Sequence, residues 1–219
     1  MFVGPRPTHL LGRLRADGDV LVCRDWPDHH EHLPAFYDFT GWATVARHRL
    51  VREPTLLCLQ YDHVLTASPD EVRAEVARAL DGHGFASAVA GYWPNWYLQV
   101  PGFEETLVAA CGACGFDLRQ VPAFDKWPST QGTAWRTQFF YAFMDWVKPV
   151  FEVARGHVLA GHIAERMVHA YHLHLGVEPG WIGPVVAHRS LDCHGTGDMM
   201  RGDSAGYEAK KAAFAYQSS

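Results

Sequence analysis

Two hydrophobic periods alternate along the chain. Asp19 to Asp25 (DVLVCRD) is a short apolar run ending in charge, the pattern of a buried strand that delivers Arg24 and Asp25 to a loop. A Pro/His-rich stretch follows, and from about Pro34 the spacing becomes helical, with Phe36, Phe39 and Val45 expected to face inward. Thr55 to Leu65 (TLLCLQYDHVL) is the strongest strand pattern, apolar on both faces until Gln60, Asp62 and His63 appear at its carboxyl end. Ser68 then marks a helix start. Pro69 falls at the first helical position, Glu71 at the capping-box position, and Val72, Val76 and Leu80 recur every fourth residue.

The alternation continues past the Gly82 and Gly84 turn. FASAVAGYWPNWYLQV reads as a strand and an aromatic loop, and GFEETLVAACGACGF as a helix stopped at Gly115. From Trp127 a Ser/Thr/Gly loop runs into an aromatic-rich helix ending near Lys148 and Pro149, and a further helix is expected over about Val158 to Leu175. Strands alternating with helices predict an α/β domain with a mostly parallel central sheet flanked by helices, whose sites lie beyond the carboxyl ends of the strands. Residues 1–191 are expected to form this single domain. Residues 192–219, rich in Gly, Asp and Ala, are expected to form a C-terminal tail able to close over a site.

Composition narrows the function classes. A chain of 219 residues with 48% hydrophobic and 20% charged residues can build one sizeable core. The formal net charge of -5, without long runs of like charge, argues against a nucleic-acid partner. No stretch approaches the roughly 18 apolar residues of a membrane span, and the first residues lack a signal-peptide pattern, so a cytoplasmic location is expected. Five cysteines, an odd number, fit reduced thiols. The 14 His and 8 Trp suit a site that handles metals, sugars or rings.

Several side-chain groupings bear on chemistry. Asp62, flanked by Gln60 and His63 where a strand emerges, is placed to hold a hard divalent cation against phosphate oxygens. His162, Glu165, His169 and His172 are spaced three, four and three, so they share one stripe of a helix. That stripe reads as a metal face, an active-site wall or the solvated side. His29 to His32 form a dense local loop cluster, and Cys111 and Cys114 have Cys-x-x-Cys spacing without a second pair. No nucleophile elbow, Walker loop or dinucleotide Gly-x-Gly-x-x-Gly occurs. Gly195 to Gly197, near His188, Arg189 and His194, offers amides and cations to a phosphate.

Three segments resemble glycosyltransferases of the GT-A fold, in particular the bacterial group linked to capsular polysaccharide synthesis. Leu56 to Leu65 resembles the strand that ends in that fold's Asp-x-Asp metal motif; Asp62 matches the second acid, whereas Gln60 stands where the first is expected. Gly132 to Glu152 is similar to a Thr/Trp-containing strand followed by a helix with an aromatic-Pro ending. Leu159 to Gly176 resembles a late helix with an Ala-Glu-Arg core, here Ala164, Glu165 and Arg166. The resemblance implies a nucleotide-sugar donor, a hydroxyl acceptor and a divalent cation, manganese or magnesium. Asp62 with His63 would hold the metal, and Glu165 would serve as base or donor contact beside Arg166. His188 and His194 would complete the diphosphate site, and Tyr92, Trp93 and Trp96 would stack on sugar or base. The residues themselves leave two alternatives open: a His-rich metalloenzyme, an oxygenase or hydrolase, using His162, Glu165, His169 and His172, or a non-catalytic sugar-binding module.

Overall fold

The computed structural model describes Leu33 and residues 35–60, 63–92 and 96–188. The expected Asp19–Asp25 strand and the tail from Asp192 lie outside these residues. In chain order the strands are β1 (Thr55–Cys58), β2 (His63–Leu65), β3 (Phe85–Ser87), β4 (Ala90–Tyr92), β5 (Lys126–Pro128), β6 (Thr133–Arg136), β7 (Gly180–Trp181) and β8 (Val186–His188). The helices are α1 (Asp38–His48), α2 (Pro69–Ala79), α3 (Phe103–Ala113), α4 (Thr137–Trp146), α5 (Val150–Val153) and α6 (Ala160–Leu175).

The result is an α/β architecture with a mixed sheet and flanking helices. Its main sheet has the order β1-β6-β3-β7. β6 is antiparallel to both β1 and β3, and only β3 and β7 pair in parallel. This corrects the expectation of a mostly parallel sheet. The β-α order does return β1 and β3 in the same direction, but β6 arrives from far along the chain and takes the place between them. Hydrophobic period reports that a segment is a strand and is silent on its polarity. Two small ladders, β2-β8 and β4-β5, both antiparallel, stand beside the main sheet.

The expected long strand over Thr55–Leu65 is also divided. Between its two parts the His63 N–H donates to the Gln60 carbonyl at 3.2 Å, and the Gln60 N–H donates to His63 Nδ1 at 2.8 Å. These local bonds satisfy backbone groups that a continuous ladder would otherwise claim. The chain therefore turns out of the main sheet, and His63 pairs with His188 in the side ladder.

Alternation along the strands divides the core in two. Leu56, Cys58, Phe85 and Trp135 project to one face and join α1, α3, α4, α5 and α6 in the larger core. Ala86 and Ala134 project to the other, where α2 contributes Val72, Val76 and Ala79. Register brings Leu56 and Phe85 opposite Trp135 from its two sides. Trp135 is the hub of the larger core, with ring centroids 4.3 Å from Phe85, 5.3 Å from Trp42 and 5.3 Å from Phe143.

Helix starts and stops follow local chemistry. The Ser68 hydroxyl accepts from the Glu71 N–H while the Glu71 side chain accepts from the Ser68 N–H, closing the expected capping box. The α3 helix ends before Gly115 and α6 before Gly176, each glycine at positive φ. The helix expected from Pro34 begins at Asp38, because Ala35 and Tyr37 adopt positive φ and form a turn first. Phe36, Phe39 and Val45 are nevertheless all buried. Among the described residues, no helix is long and apolar enough to cross a membrane.

Replacing Trp135 with Ala is expected to remove about 3–5 kcal/mol of stability, because the hub ring packs against Phe85 of β3 and the rings of two helices. Urea unfolding followed by circular dichroism checks this, and Trp135→Phe should recover a large part of the loss.

Candidate functional site

Because β6 is antiparallel to β1 and β3, and β3 is parallel to β7, the carboxyl ends of β1, β3 and β7 share one edge with the start of β6. Leu59 and Gln60 leave β1 there, Ala88 and Val89 leave β3, Ile182 leaves β7, and Ser129 to Gly132 enter β6. Three strand carboxyl ends meet at this edge, and the polar side chains of the Ser129–Gly132 loop and Glu165 gather there.

The Ser129–Gly132 loop is bound to the edge from both sides. Toward the sheet, the Ala88 N–H donates to the Gly132 carbonyl at 2.9 Å and the Ser129 N–H to the Val89 carbonyl at 3.0 Å. The Ser87 hydroxyl donates to the Ser129 carbonyl at 2.6 Å. Gly132 has φ +65°, and a Cβ there would sit 3.0 Å from His63 Nε2, so a glycine is needed both for the conformation and for the approach of His63.

From the helical side, Glu165 of α6 reaches the same loop. Its Oε1 accepts from the Ser129 hydroxyl at 2.6 Å, the Thr130 N–H at 3.2 Å and the Thr130 hydroxyl at 3.3 Å. Its Oε2 accepts from Arg166 Nη1 at 2.6 Å and lies 3.5 Å from His162 Nδ1. Arg166 is buried as well. Its Nε donates to the Trp96 carbonyl at 3.2 Å, and its guanidinium stacks 4.3 Å from the Trp127 ring centroid. Burial pushes the Glu165 carboxyl up, but the contact with His162, the positive charge of Arg166 and the Ser129 hydroxyl outweigh it and hold the group at about 2. Burial draws the Arg166 guanidinium down and Glu165 opposes this; with an ordinary pKa above about 12 it stays cationic.

This geometry bears on the expected roles of both residues. A general base works best with a pKa near the operating pH and within reach of the proton it takes. Glu165 is held far below that range and its oxygens are engaged inside the protein. Arg166 is enclosed between Glu165 and two aromatic rings, out of reach of a diphosphate. The two are positioning residues for the Ser129–Gly132 loop.

Other expected residues divide into three groups. Trp96 is fully buried, edge-on to Trp127 at 5.6 Å and Phe124 at 5.0 Å, so it is a core ring and not a stacking face for a ligand. His63 is at the edge as expected, but buried, with Nδ1 accepting from Gln60. Tyr92 and His188 have backbones in β4 and β8, while their side chains fall outside what the structure describes. Asp62, Trp93 and His194 lie outside the described residues, as do His29 to His32.

Apart from half-exposed His162, the imidazole and carboxylate stripe of α6 is buried. His169 packs 4.4 Å from the Phe124 ring centroid and 5.4 Å from that of Trp96. His172 lies 5.2 Å from Phe85, and its Nδ1 contacts the Val168 carbonyl at 2.8 Å. Burial pushes His169 down to about 3 and His172 to about 4, so both are neutral near pH 7. Among the described residues, no group of three His, Cys, Asp or Glu side chains comes together as a metal would require. The Cys-x-x-Cys thiols are likewise quiet: burial pushes Cys111 up to about 12 and Cys114 to about 11.

Sequence reasoning missed Ser129, Thr130 and Trp127. Their only signal was a short Ser/Thr/Gly loop after a Trp, and nothing in it pointed to a carboxylate 35 positions later in the chain. Comparison with protein-family models, curated proteins and solved structures finds no match to this chain.

Two pH effects follow. His169 and His172 have folded pKa values below the unfolded value of about 6.5, so their contribution is complete above pH 6.5 and is lost as pH falls toward 4 and then 3. Each should cost on the order of 2 kcal/mol between pH 7 and pH 5, and His169→Phe should flatten that part of a stability-versus-pH curve. Glu165 acts lower, its contribution being present above about 4.5 and lost as pH falls toward 2. Glu165→Gln should cost about 3–5 kcal/mol at pH 7, since it leaves Arg166 buried without its counter-charge. Urea midpoints measured across pH check both.

Proposed function

We propose that this chain is a glycosyltransferase of GT-A type, moving a sugar from a nucleotide-sugar donor to a hydroxyl acceptor at the carboxyl edge of the main sheet. The observation that carries the reading is the meeting of its three resembling segments. β1 from the first segment pairs with β6 from the second along the full Thr55–Arg136 to Cys58–Thr133 register. The third segment, through Glu165, holds the loop that enters β6. Residues far apart in sequence thus assemble one edge.

In the transfer, the acceptor oxygen bonds to the anomeric carbon, the bond from that carbon to the phosphate oxygen breaks, and the acceptor proton passes to a base as the diphosphate leaves. The chain's task is to hold donor and acceptor in line and to place charge near the leaving group. Glu165 serves this by fixing Ser129 to Gly132. The acidic role belongs to Asp62 in this reading. For the cation, the described donors at the edge are Gln60, whose side-chain amide donates to Asp38, and buried His63. By themselves these do not fit a divalent ion.

Thermal melting with nucleoside diphosphates and nucleotide sugars, each with manganese, magnesium or chelator, tests the proposal. A specific nucleotide at a hundredfold excess over its Kd should stabilise the fold by about 2.7 kcal/mol, a shift of several degrees. The shift should be lost in Asp62→Ala. Absence of a shift with every nucleotide would overturn the reading.

A further inference from the structure

The turn preceding α1 carries a conformational anomaly beside the same edge. The Phe39 N–H donates to the Phe36 carbonyl at 3.0 Å, closing a turn with Tyr37 at its first central position. Tyr37 has φ 47° and ψ -119°, close to the dihedrals at that position of a type II′ turn, where glycine is the preferred residue. A tyrosine there is strained, and only one side of its ring packs against the protein, since Tyr37 is 59% exposed. Strained residues gather at ligand sites.

The surroundings of the ring are specific. One side of Tyr37 lies against Gly161, where a Cβ would collide with the ring. The Gly161 N–H donates to the Ala35 carbonyl at 3.0 Å, fixing the turn to the start of α6. His162, half-exposed, lies 6.1 Å away centroid to centroid, and it contacts Glu165, which holds Ser129 and Thr130. The next residue, Asp38, accepts from the Gln60 side chain at the end of β1. An exposed aromatic face is therefore linked, through single side chains, to a carboxylate, an amide, an imidazole and the edge loop.

We propose that Tyr37 is a stacking platform for the pyranose ring of a carbohydrate substrate, with Asp38, Gln60 and His162 as the polar groups that meet its hydroxyls. A pyranose has an apolar C–H face and a periphery of hydroxyls, and this combination of flat ring and mixed donors and acceptors matches both. The inference deepens the glycosyltransferase reading and rests on its substrate class.

Saturation-transfer NMR with methyl glucoside, methyl galactoside and N-acetylglucosamine as probes tests it, with uridine diphosphate melting shifts measured in parallel. The wild-type chain should give transfer to the ring protons of one pyranoside. Tyr37→Ala should weaken that sugar's affinity by about tenfold, while Tyr37→Phe and Tyr37→Trp retain it. Tyr37→Gly relieves the turn and should abolish the sugar signal while leaving the melting temperature unchanged or a few degrees higher, which separates a binding role from a packing role. Absence of a wild-type sugar signal, equal signals from wild type and Tyr37→Ala, or a large fall in melting temperature for Tyr37→Gly would overturn the proposal. So would loss of a nucleotide shift in Tyr37→Ala with the sugar signal intact, since the ring would then serve a base. If no nucleotide shifts the wild-type chain but a Tyr37-dependent sugar signal is present, the platform stands and the transferase reading falls.

Discussion

Glu165 is a buried carboxylate. Moving such a group into the interior costs several kcal/mol, and the cost is offset only when every lone pair finds a donor and a counter-charge lies close by. Here Arg166 supplies the charge, and Ser129 and Thr130 supply neutral donors. Arg166 in turn needs its own partners, which are the Trp96 carbonyl and the face of Trp127. Each group is buried because the next satisfies it. Through this chain the α6 helix, the loop entering β6 and the segment around Trp96 are held in one arrangement, and the polar edge of the sheet has a fixed floor.

The two sides of that arrangement are stabilised differently. Around Trp135 and along the inner side of α6, aromatic rings meet edge to face, and even the imidazoles of His169 and His172 act as flat neutral rings. At the edge, short hydrogen bonds do the positioning: Ser87 to Ser129, Ala88 to Gly132 and Gln60 to His63. Dispersion tolerates small displacements, whereas a buried hydrogen bond loses its value over a few tenths of an ångström and leaves desolvated atoms behind. A polar network is therefore the more exacting way to hold a loop in one geometry.

Tyr37 shows the converse use of energy. The Glu165 network lowers the free energy of the fold by satisfying groups that burial made costly, while Tyr37 raises it by occupying a turn position that glycine fills without strain. The two lie a short way apart, joined through His162. A rigid floor beside a strained, exposed ring is the division of labour expected where stability and ligand binding compete for the same residues.

Much of the fold was legible in local pattern. The capping box at Ser68 and Glu71, the glycine stops at Gly115 and Gly176, and the inward positions Phe36, Phe39 and Val45 depend on residues a few positions apart. Dihedral preference and hydrophobic period act at that range, so the sequence alone determined five of the six described α-helices, the strand character of β1 and β3, and several inward faces. What it left open depends on partners distant in the chain. The antiparallel insertion of β6 between β1 and β3, the break at Gln60 to His63 and the enclosure of Trp96 were decided by tertiary packing. So was the role of Glu165. Its spacing from His162, His169 and His172 placed it on a shared stripe, but whether that stripe met water, metal or protein depended on which loop arrived opposite it. A carboxylate's chemistry is set by its dielectric and its donors, and here these come from residues 129 and 130, which only the folded chain brings to it.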